Sequence, residues 1–129
     1  MNRTPEEEAN LALVLAMFEQ VLNPMDPGAV DRFVSPDYIQ HNQLAEPGRE
    51  GLKRFLDMIR AETPQAVHDV KRAFVDGDHV AVHYHVRRWP GDNGWAVIDI
   101  FRIENGLIAE HWDVMQDVVP GGPNPNSPF

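Results

Sequence analysis

Three ionisable side chains interrupt one otherwise apolar stretch of the chain. Asp99, His111 and Asp113 lie in the segment WAVIDIFRIENGLIAEHWD, which runs from Trp95 to Asp113. A carboxylate in an apolar strand is costly to bury unless it is hydrogen-bonded or faces a cavity. A carboxylate beside a histidine orients the imidazole and raises its pKa, while apolar surroundings raise the pKa of the carboxyl group. These residues therefore predict a polar-lined pocket with the means for acid–base chemistry.

The register of this segment decides which side chains share a face. Asn105-Gly106 is a strong signal for a tight hairpin turn. A two-residue turn would pair Asp99 with Trp112, whereas a three-residue loop that begins at Glu104 would pair Asp99 with His111. We favour the three-residue loop, because it collects the polar side chains on one face. That face would hold Asp99, Phe101, His111, Asp113 and Met115, and the opposite face Ile98, Ile100, Trp112 and Val114.

Two histidines occupy one face of the preceding predicted strand, which runs from His79 to Trp89. His83 and His85 share this face because strand side chains alternate. If the face lines the cavity, both imidazoles join the acidic residues. The alternative is a solvated outer face, which an open antiparallel sheet normally has.

A short polar segment before the third predicted helix holds Tyr38, His41 and Asn42. These residue types are common in loops. They also predict a polar lip at one end of the cavity, with the tyrosine and the asparagine donating hydrogen bonds to a substrate carbonyl.

Histidines and aspartates also raise the question of a metal. His83, His85 and Asp99 could form a set of two histidines and one carboxylate. No spacing matches a defined metal motif, and the sequence has no glycine-rich phosphate loop, nucleophile elbow or basic–aromatic stripe. We therefore expect neither a metal nor an organic cofactor.

Composition limits the class of protein. The chain has 129 residues, no cysteine and a net charge of −9. This length fits one domain, which we place at residues 1–119, followed by a Pro/Gly-rich tail at residues 120–129. The negative charge argues against nucleic acid or an anionic membrane as a partner. Three glutamates precede the first apolar run, where a signal peptide needs positive charge, so we expect a cytoplasmic protein.

The periodicity changes once along the chain. Before Thr63-Pro64 the apolar residues recur at helical spacing, and Thr4-Pro5 with Glu7 forms a predicted capping box at the first helix. After it the pattern alternates, as in strands. Helices followed by an antiparallel meander predict an α+β fold, in which a curved sheet wraps around helices and leaves a cavity between them.

Several segments resemble the SnoaL-like polyketide cyclase family of the NTF2-like superfamily. The resemblance covers nearly the whole chain up to Asp117, and its most specific part is Glu110-His111-Trp112-Asp113. The other matching segments are Tyr38-Ile39-Gln40-His41-Asn42, Gly48-Arg49-Glu50-Gly51-Leu52 with Phe55, His83-Tyr84-His85 and the run from Asp99 to Ala109.

The resemblance implies an α+β cone of N-terminal helices on a curved antiparallel or mixed sheet, and a homodimer packed through the sheet face. In the polyketide cyclases an aspartate on the penultimate strand, with a nearby histidine on the preceding strand, acts in an intramolecular aldol condensation. Those catalytic roles fall on Asp99 and His85. The position of Asp113 is similar to that of a catalytic aspartate in limonene epoxide hydrolases. Those enzymes use an Asp–Arg–Asp set, and in this sequence Arg87 is a weak candidate for the arginine.

These observations predict an enzyme, a cofactor-free cyclase or isomerase with lyase-like aldol chemistry, acting on a small apolar carbonyl compound. The residues expected to bind substrate are Tyr38, His41, Asn42, His83, Phe101, His111 and Asp113. The alternative is a non-catalytic protein that binds a small ligand in a polar-lined pocket, and an epoxide hydrolase is a third reading. The substrate itself is not indicated by any residue.

Overall fold

Helices form the first part of the fold. In this computed structural model, which describes residues 2–129, Thr4 caps the first helix: its hydroxyl accepts from the Glu7 N–H at 3.1 Å, and the Glu7 carboxylate accepts from the Thr4 N–H at 3.0 Å. The predicted capping box is therefore present. The helical elements are α1 (Pro5–Met17), a π-helical turn (Phe18–Leu22), a 3-10 helix (Pro27–Arg32) and α2 (Gly48–Glu62). None of the helices in residues 2–129 has the length and apolar character needed to cross a membrane.

Five strands form one open mixed sheet in the order β1-β5-β4-β3-β2. The pairs β2–β3, β3–β4 and β4–β5 are antiparallel, and β1 runs parallel to β5. The predicted α+β class, with helices before most of the sheet, is confirmed. The strands are β1 (Val34–Gln40), β2 (Val67–Asp76), β3 (His79–Arg87), β4 (Trp95–Glu104) and β5 (Leu107–Asp117).

The core lies between the helices and one face of the sheet. The end of α1 and the π-helical turn bury Val14, Phe18 and Val21 against this face, and α2 contributes the fully buried Leu56 to the same core. The burial of these side chains and their strand partners is the main driving force that holds the helices on the sheet.

The predicted orientation of β3 is wrong. The core-facing row of this strand contains Val80, Val82 and Tyr84, all nearly inaccessible to solvent, so the alternate residues His83 and His85 point to the outer face. The physical reason is that a row of two valines and a tyrosine gains more from burial than a row of imidazoles. The prediction that both histidines line the cavity therefore fails.

The β4–β5 hairpin reaches the expected face by a different route. Its turn has two residues, Asn105 and Gly106, with φ values of 52° and 74°, and not the expected three. A β-bulge follows, because Ile103 pairs with Ile108 while Arg102 pairs with Glu110. The extra residue on β5 shifts the register by one, in the direction opposite to that of the expected three-residue loop, so the same side chains still face inwards.

The consequence is a single polar face on the hairpin. Asp99 pairs with Asp113, and Phe101 pairs with His111, so all four side chains lie on the inner face of the sheet. The expected face assignment is thus confirmed, although the expected pairing of Asp99 with His111 is off by two residues.

Candidate functional site

A cavity of about 360 Å³ opens between the concave face of the sheet and the helices. Its wall is mostly apolar, and its polar groups come from all five strands and from the loops beside them. This combination is typical of small-molecule sites. The polar lining includes Tyr38, Gln40, Asn42, His68, Tyr84, Asp99, His111 and Asp113.

Asp99 lies deepest in this polar set. Its side chain is 4% exposed. One carboxylate oxygen, Oδ2, accepts a hydrogen bond from the Tyr84 hydroxyl at 2.8 Å, and the other, Oδ1, lies 3.1 Å from Nε2 of His111. The geometry of the His111 contact is that of an ion pair and not of a well-formed hydrogen bond. Both oxygens are therefore occupied by protein groups.

The hydrogen bonds of Gln40 determine the tautomer of His111. The Gln40 Oε1 atom accepts from the backbone N–H of Asn42 at 3.0 Å, and a backbone N–H can only donate, so this atom is the amide oxygen. The same oxygen lies 2.7 Å from Nδ1 of His111, which must therefore carry a hydrogen. Nε2 of His111 and Oδ1 of Asp99 consequently compete for one proton.

The charges around His111 favour its protonated form. Burial lowers the pKa of the imidazole, but the close contact with the Asp99 carboxylate and its charge, together with the charge of Asp113, outweigh burial and raise the pKa above its ordinary value. The Asp99–His111 pair therefore holds its proton on the imidazole over a wider pH range than a free histidine does.

Asp113 is the most open acid of the set, with a side chain that is 16% exposed. The Asn42 amide donates to both of its carboxylate oxygens, at 3.0 and 3.1 Å. Nε2 of His111 lies 3.8 Å from Oδ2. Asp113 is thus positioned by Asn42 and faces the cavity.

Tyr38 offers a proton donor beside these acids. Its hydroxyl oxygen accepts from the Gln40 amide at 3.0 Å, which leaves the hydroxyl hydrogen for a ligand. Burial, with added contributions from the charges of Asp99 and Asp113, raises the pKa of Tyr38 well above its usual range. The hydroxyl therefore stays protonated and can donate a hydrogen bond.

Of the sequence-predicted residues, Tyr38, Asn42, Asp99, Phe101, His111 and Asp113 come together at the cavity. His85 does not, because its ring bonds to the Asn93 carbonyl oxygen at 2.7 Å and accepts from Arg87 at 3.2 Å on the outer face. His83 lies beside it and contacts Arg72. The predicted pairing of Asp99 with His85 is therefore wrong, and His111 is the histidine that contacts Asp99.

His41 also lies outside the cavity. Its Nε2 atom is 2.6 Å from the Glu110 carboxylate, and its ring stacks on Trp112 with a centroid distance of 4.8 Å. Both partners point outwards because they alternate with His111 along β5. The prediction that His41 forms part of the polar lip is wrong.

Three cavity residues were missed from the sequence. Gln40 and Tyr84 lie directly beside residues that were predicted to form the site, but were not themselves chosen. His68 lies at the start of β2 with no other predicted site residue near it in the sequence. Alternation along β3 was a usable signal for Tyr84, since it follows Val80 and Val82 by steps of two. Nothing in the sequence pairs Gln40 with His111.

Two other chemistries can be tested against this geometry. Asp99, His111 and Asp113 each offer a ligand atom, and these atoms all lie within 4.8 Å of one another, so the set can hold one cation. The histidine would bind through Nε2 while Nδ1 donates to Gln40, an arrangement common at metal sites. By contrast, Arg87 bonds to His85 on the outer face, and among residues 2–129 no arginine pairs with either cavity aspartate. An Asp–Arg–Asp set is therefore not formed.

The fold has many relatives of known structure. A candidate SnoaL-like polyketide cyclase from Jannaschia sp. CCS1 is 21% identical, with a TM-score of 0.71 over 89% of this chain and 90% of that one. An NTF2-like protein of unknown function from Mesorhizobium loti is 17% identical, with a TM-score of 0.74 over 89% of this chain and 97% of that one. TsrD from Streptomyces laurentii is 25% identical, with a TM-score of 0.63 over 89% and 91% of the two chains.

These likenesses establish an NTF2-like α+β fold and leave activity open, since such folds host both enzymes and binding proteins. No curated protein is significantly similar in sequence to this chain. Residues 14–111, which run from the last part of α1 to His111 on β5, match the SnoaL-like domain. The chain therefore belongs to the SnoaL-like domain family.

Proposed function

We propose that this SnoaL-like domain is an enzyme that moves a proton on a small, largely apolar carbonyl compound, in an aldol-type ring closure or an isomerisation. The observation that carries the proposal is the set Asp99–His111–Asp113 at an apolar cavity, in which one imidazole proton lies between two carboxylates. Such a set suits general acid–base catalysis, because it places an imidazole and two carboxylates within reach of one proton beside an apolar cavity.

Asp113 is the group best placed to take the substrate proton. It is the more exposed of the two aspartates, and its contacts with Asn42 leave room for a ligand on the cavity side. Asp99 acts through His111, whose orientation and charge it maintains. In this proposal Asp99 is a positioning residue, and the sequence-based assignment of His85 as its partner is abandoned.

The chemical step needs only proton movement. Asp113 removes a proton from the carbon next to the carbonyl, and the electron pair of the broken C–H bond moves onto the carbonyl oxygen as an enolate. The Tyr38 hydroxyl donates a hydrogen bond to this oxygen and stabilises its charge. In the ring closure, the enolate carbon attacks a second carbonyl, whose π electron pair moves onto its oxygen as an alkoxide, and this alkoxide takes the proton back from Asp113. In the isomerisation, Asp113 instead returns the proton to a different carbon of the enolate system.

One observation favours the alternative, a protein that binds a ligand without changing it. Both ring nitrogens of His111 already face protein groups, Gln40 and Asp99, so the histidine cannot itself exchange a proton with a ligand in this arrangement. The two candidates therefore differ in whether Asp113 acts as a base.

Exchange of α-protons tests the proposal without knowledge of the natural substrate. Small cyclic ketones such as 2-tetralone and 2-indanone are incubated with the protein in deuterated water, and loss of the α-proton signal is followed by NMR. We expect the wild type to accelerate exchange and Asp113→Asn to lower the enzymatic rate by a factor of about 100 or more. Asp117→Asn is the matched control, because Asp117 is an exposed aspartate on the same strand.

Each outcome assigns the site differently. Equal rates in the wild type and Asp113→Asn, or no acceleration of any ketone that the protein binds, would overturn the catalytic proposal and support the binding alternative. Loss of exchange on addition of EDTA, with recovery on addition of a divalent cation, would show that the acid set holds a metal, which this mechanism does not include.

A further inference from the structure

A second polar group lines the cavity far from the acid set, and the proposed mechanism does not use it. His68 on β2 is 8% exposed. Its backbone N–H donates to the Asn23 side chain at 2.9 Å, but among residues 2–129 neither ring nitrogen has a hydrogen-bond partner. A buried polar side chain without a partner is uncommon and costs stability, so its presence needs an explanation.

The two ring nitrogens of His68 differ in access. Nδ1 is sealed from solvent without a partner, whereas Nε2 is not sealed, and the ring lines the cavity. Burial lowers the pKa of His68 to about 4, so the ring is neutral and carries one N–H. A sealed N–H without an acceptor is rarer than a sealed lone pair, so the hydrogen belongs on Nε2.

The position of His68 relates it to the acid set. β2 and β4 are separated by one strand, hence by about 10 Å. The Tyr84 ring lies between His68 and Asp99. Its ring centroid is 6.2 Å from that of His68, and its hydroxyl donates a hydrogen bond to Asp99. A ligand of the size of two fused rings could therefore contact both ends of the cavity.

We infer that His68 is a specificity residue that donates a hydrogen bond from Nε2 to an acceptor oxygen or nitrogen on the end of the ligand remote from Asp113. The ligand class is a compact apolar molecule with a polar group at each end. This inference rests on that part of the proposed function in which the cavity binds a ligand, and it does not depend on catalysis.

A pair of isosteric probes tests the inference. 6-Cyano-2-naphthol carries a hydroxyl group for the acid end and a nitrile acceptor at the far end, and 6-ethynyl-2-naphthol has nearly the same shape without the acceptor. We expect the wild type to bind the cyano compound about 3- to 10-fold more tightly by calorimetric titration, the gain of one hydrogen bond. His68→Leu should abolish this preference without weakening the ethynyl compound, because only the donor is lost.

Two further variants complete the experiment. His68→Gln places an amide N–H near the position of Nε2 and should restore part of the preference. Asp113→Asn should weaken both naphthols by the same factor and leave their ratio unchanged. Equal affinity of the two probes for the wild type, an unchanged ratio in His68→Leu, or no binding of either probe would overturn the inference. Normal selectivity without α-proton exchange would overturn only the catalytic proposal.

The tautomer provides an independent readout. In ¹⁵N NMR of the free protein, His68 should show a protonated Nε2 and an unprotonated Nδ1 at neutral pH. A signal from protonated Nδ1 would remove the donor from the cavity and contradict the inference.

Discussion

Two buried histidines line the same cavity with opposite electrostatics. His68 and His111 have the same low exposure, and burial alone lowers the pKa of both. The difference comes from partners: His111 has two carboxylates within 4 Å, whereas no charged group contributes to the shift of His68. His111 is therefore a cation held between two carboxylates at one end of the cavity, and His68 is a neutral donor at the other end.

The first residue-scale prediction concerns His111. Its raised pKa should be measurable by NMR titration, and Asp99→Asn should lower it, because the largest favourable contribution is removed while burial remains. Because the pKa of His111 is higher in the folded protein than in the unfolded chain, its protonation stabilises the fold. This stabilisation is complete below the unfolded pKa of about 6.5, and it is lost as the pH rises through the folded pKa. Asp117→Asn is the control. An unshifted pKa in Asp99→Asn would show that Asp113, and not Asp99, maintains the charge of His111.

The second residue-scale prediction concerns His68, whose pKa is shifted in the direction opposite to that of His111. The pKa of His68 is about 4 in the folded protein, below the ordinary value, so the unfolded chain binds more protons as the medium becomes acidic. Stability from neutral His68 is present above about pH 6.5 and is lost towards pH 4, by a total of about 3 kcal/mol.

Urea unfolding of His68→Leu measures this contribution. The variant should be at least as stable as the wild type at neutral pH, since an unsatisfied polar atom is removed, and it should lose less stability on acidification. The control is His83→Leu on the outer face: burial and the charge of Arg72 lower the pKa of His83 too, but this side chain is only half-buried, so the variant should change the acid profile less than His68→Leu does. Parallel profiles for His68→Leu and the wild type would mean that His68 titrates normally.

At the scale of the elements, the inner row of β3 was misassigned from the sequence because two imidazoles on one face suggested chemistry. The row of Val80, Val82 and Tyr84 was the stronger signal, since apolar burial decides which face of a strand turns inwards. The inner face of β4 and β5 was predicted correctly, although the bulge after the turn was not, because no residue pattern marks a bulge reliably. The contact between His111 and Gln40 joins β5 to β1 and depends on tertiary structure alone.

The element-scale prediction compares two glycines with positive φ. Gly106 in the β4–β5 turn has φ 74°, and an added Cβ would meet nothing within 4 Å, so Gly106→Ala should cost about 1 kcal/mol of unfolding free energy from backbone strain alone. Gly94 has φ 68°, and its Cβ would collide with the backbone carbonyl of Val86. Gly94→Ala should therefore cost at least about 3 kcal/mol.

Urea unfolding followed by tryptophan fluorescence measures both costs. Gly122→Ala is the control: Gly122 lies in the tail without a positive φ, and its added Cβ would meet only ordinary contacts at 3.6 and 3.7 Å, so stability should be nearly unchanged. Similar losses for Gly94→Ala and Gly106→Ala would show that the loop before β4 shifts to relieve the collision.

At the scale of the whole molecule, the sequence was sufficient for the architecture because the change from helical to alternating periodicity near Pro64 is sharp. The helices and the cavity lie against the inner face of the sheet, whereas no helix covers the outer face in residues 2–129. On this outer face, Ile98 and Ile100 of β4 and Val114 of β5 are 41%, 38% and 69% exposed. The tail covers part of the same face, where the ring of Phe129 lies 4.5 Å from that of His85, centroid to centroid. Tyr84 and Val86 of β3 lie on the cavity side and do not contribute to this outer surface.

The last prediction follows from that surface. Apolar side chains clustered on one exposed sheet face favour a symmetric contact between two copies, so we expect light scattering at micromolar concentration to give twice the chain mass of 14.6 kDa. Val114→Glu should produce a monomer, because the charge would be buried at the centre of the contact. Val119→Glu is the matched control, since Val119 is equally exposed but lies beyond the end of β5. A monomeric wild type, or a dimer that survives Val114→Glu, would place the contact elsewhere or remove it.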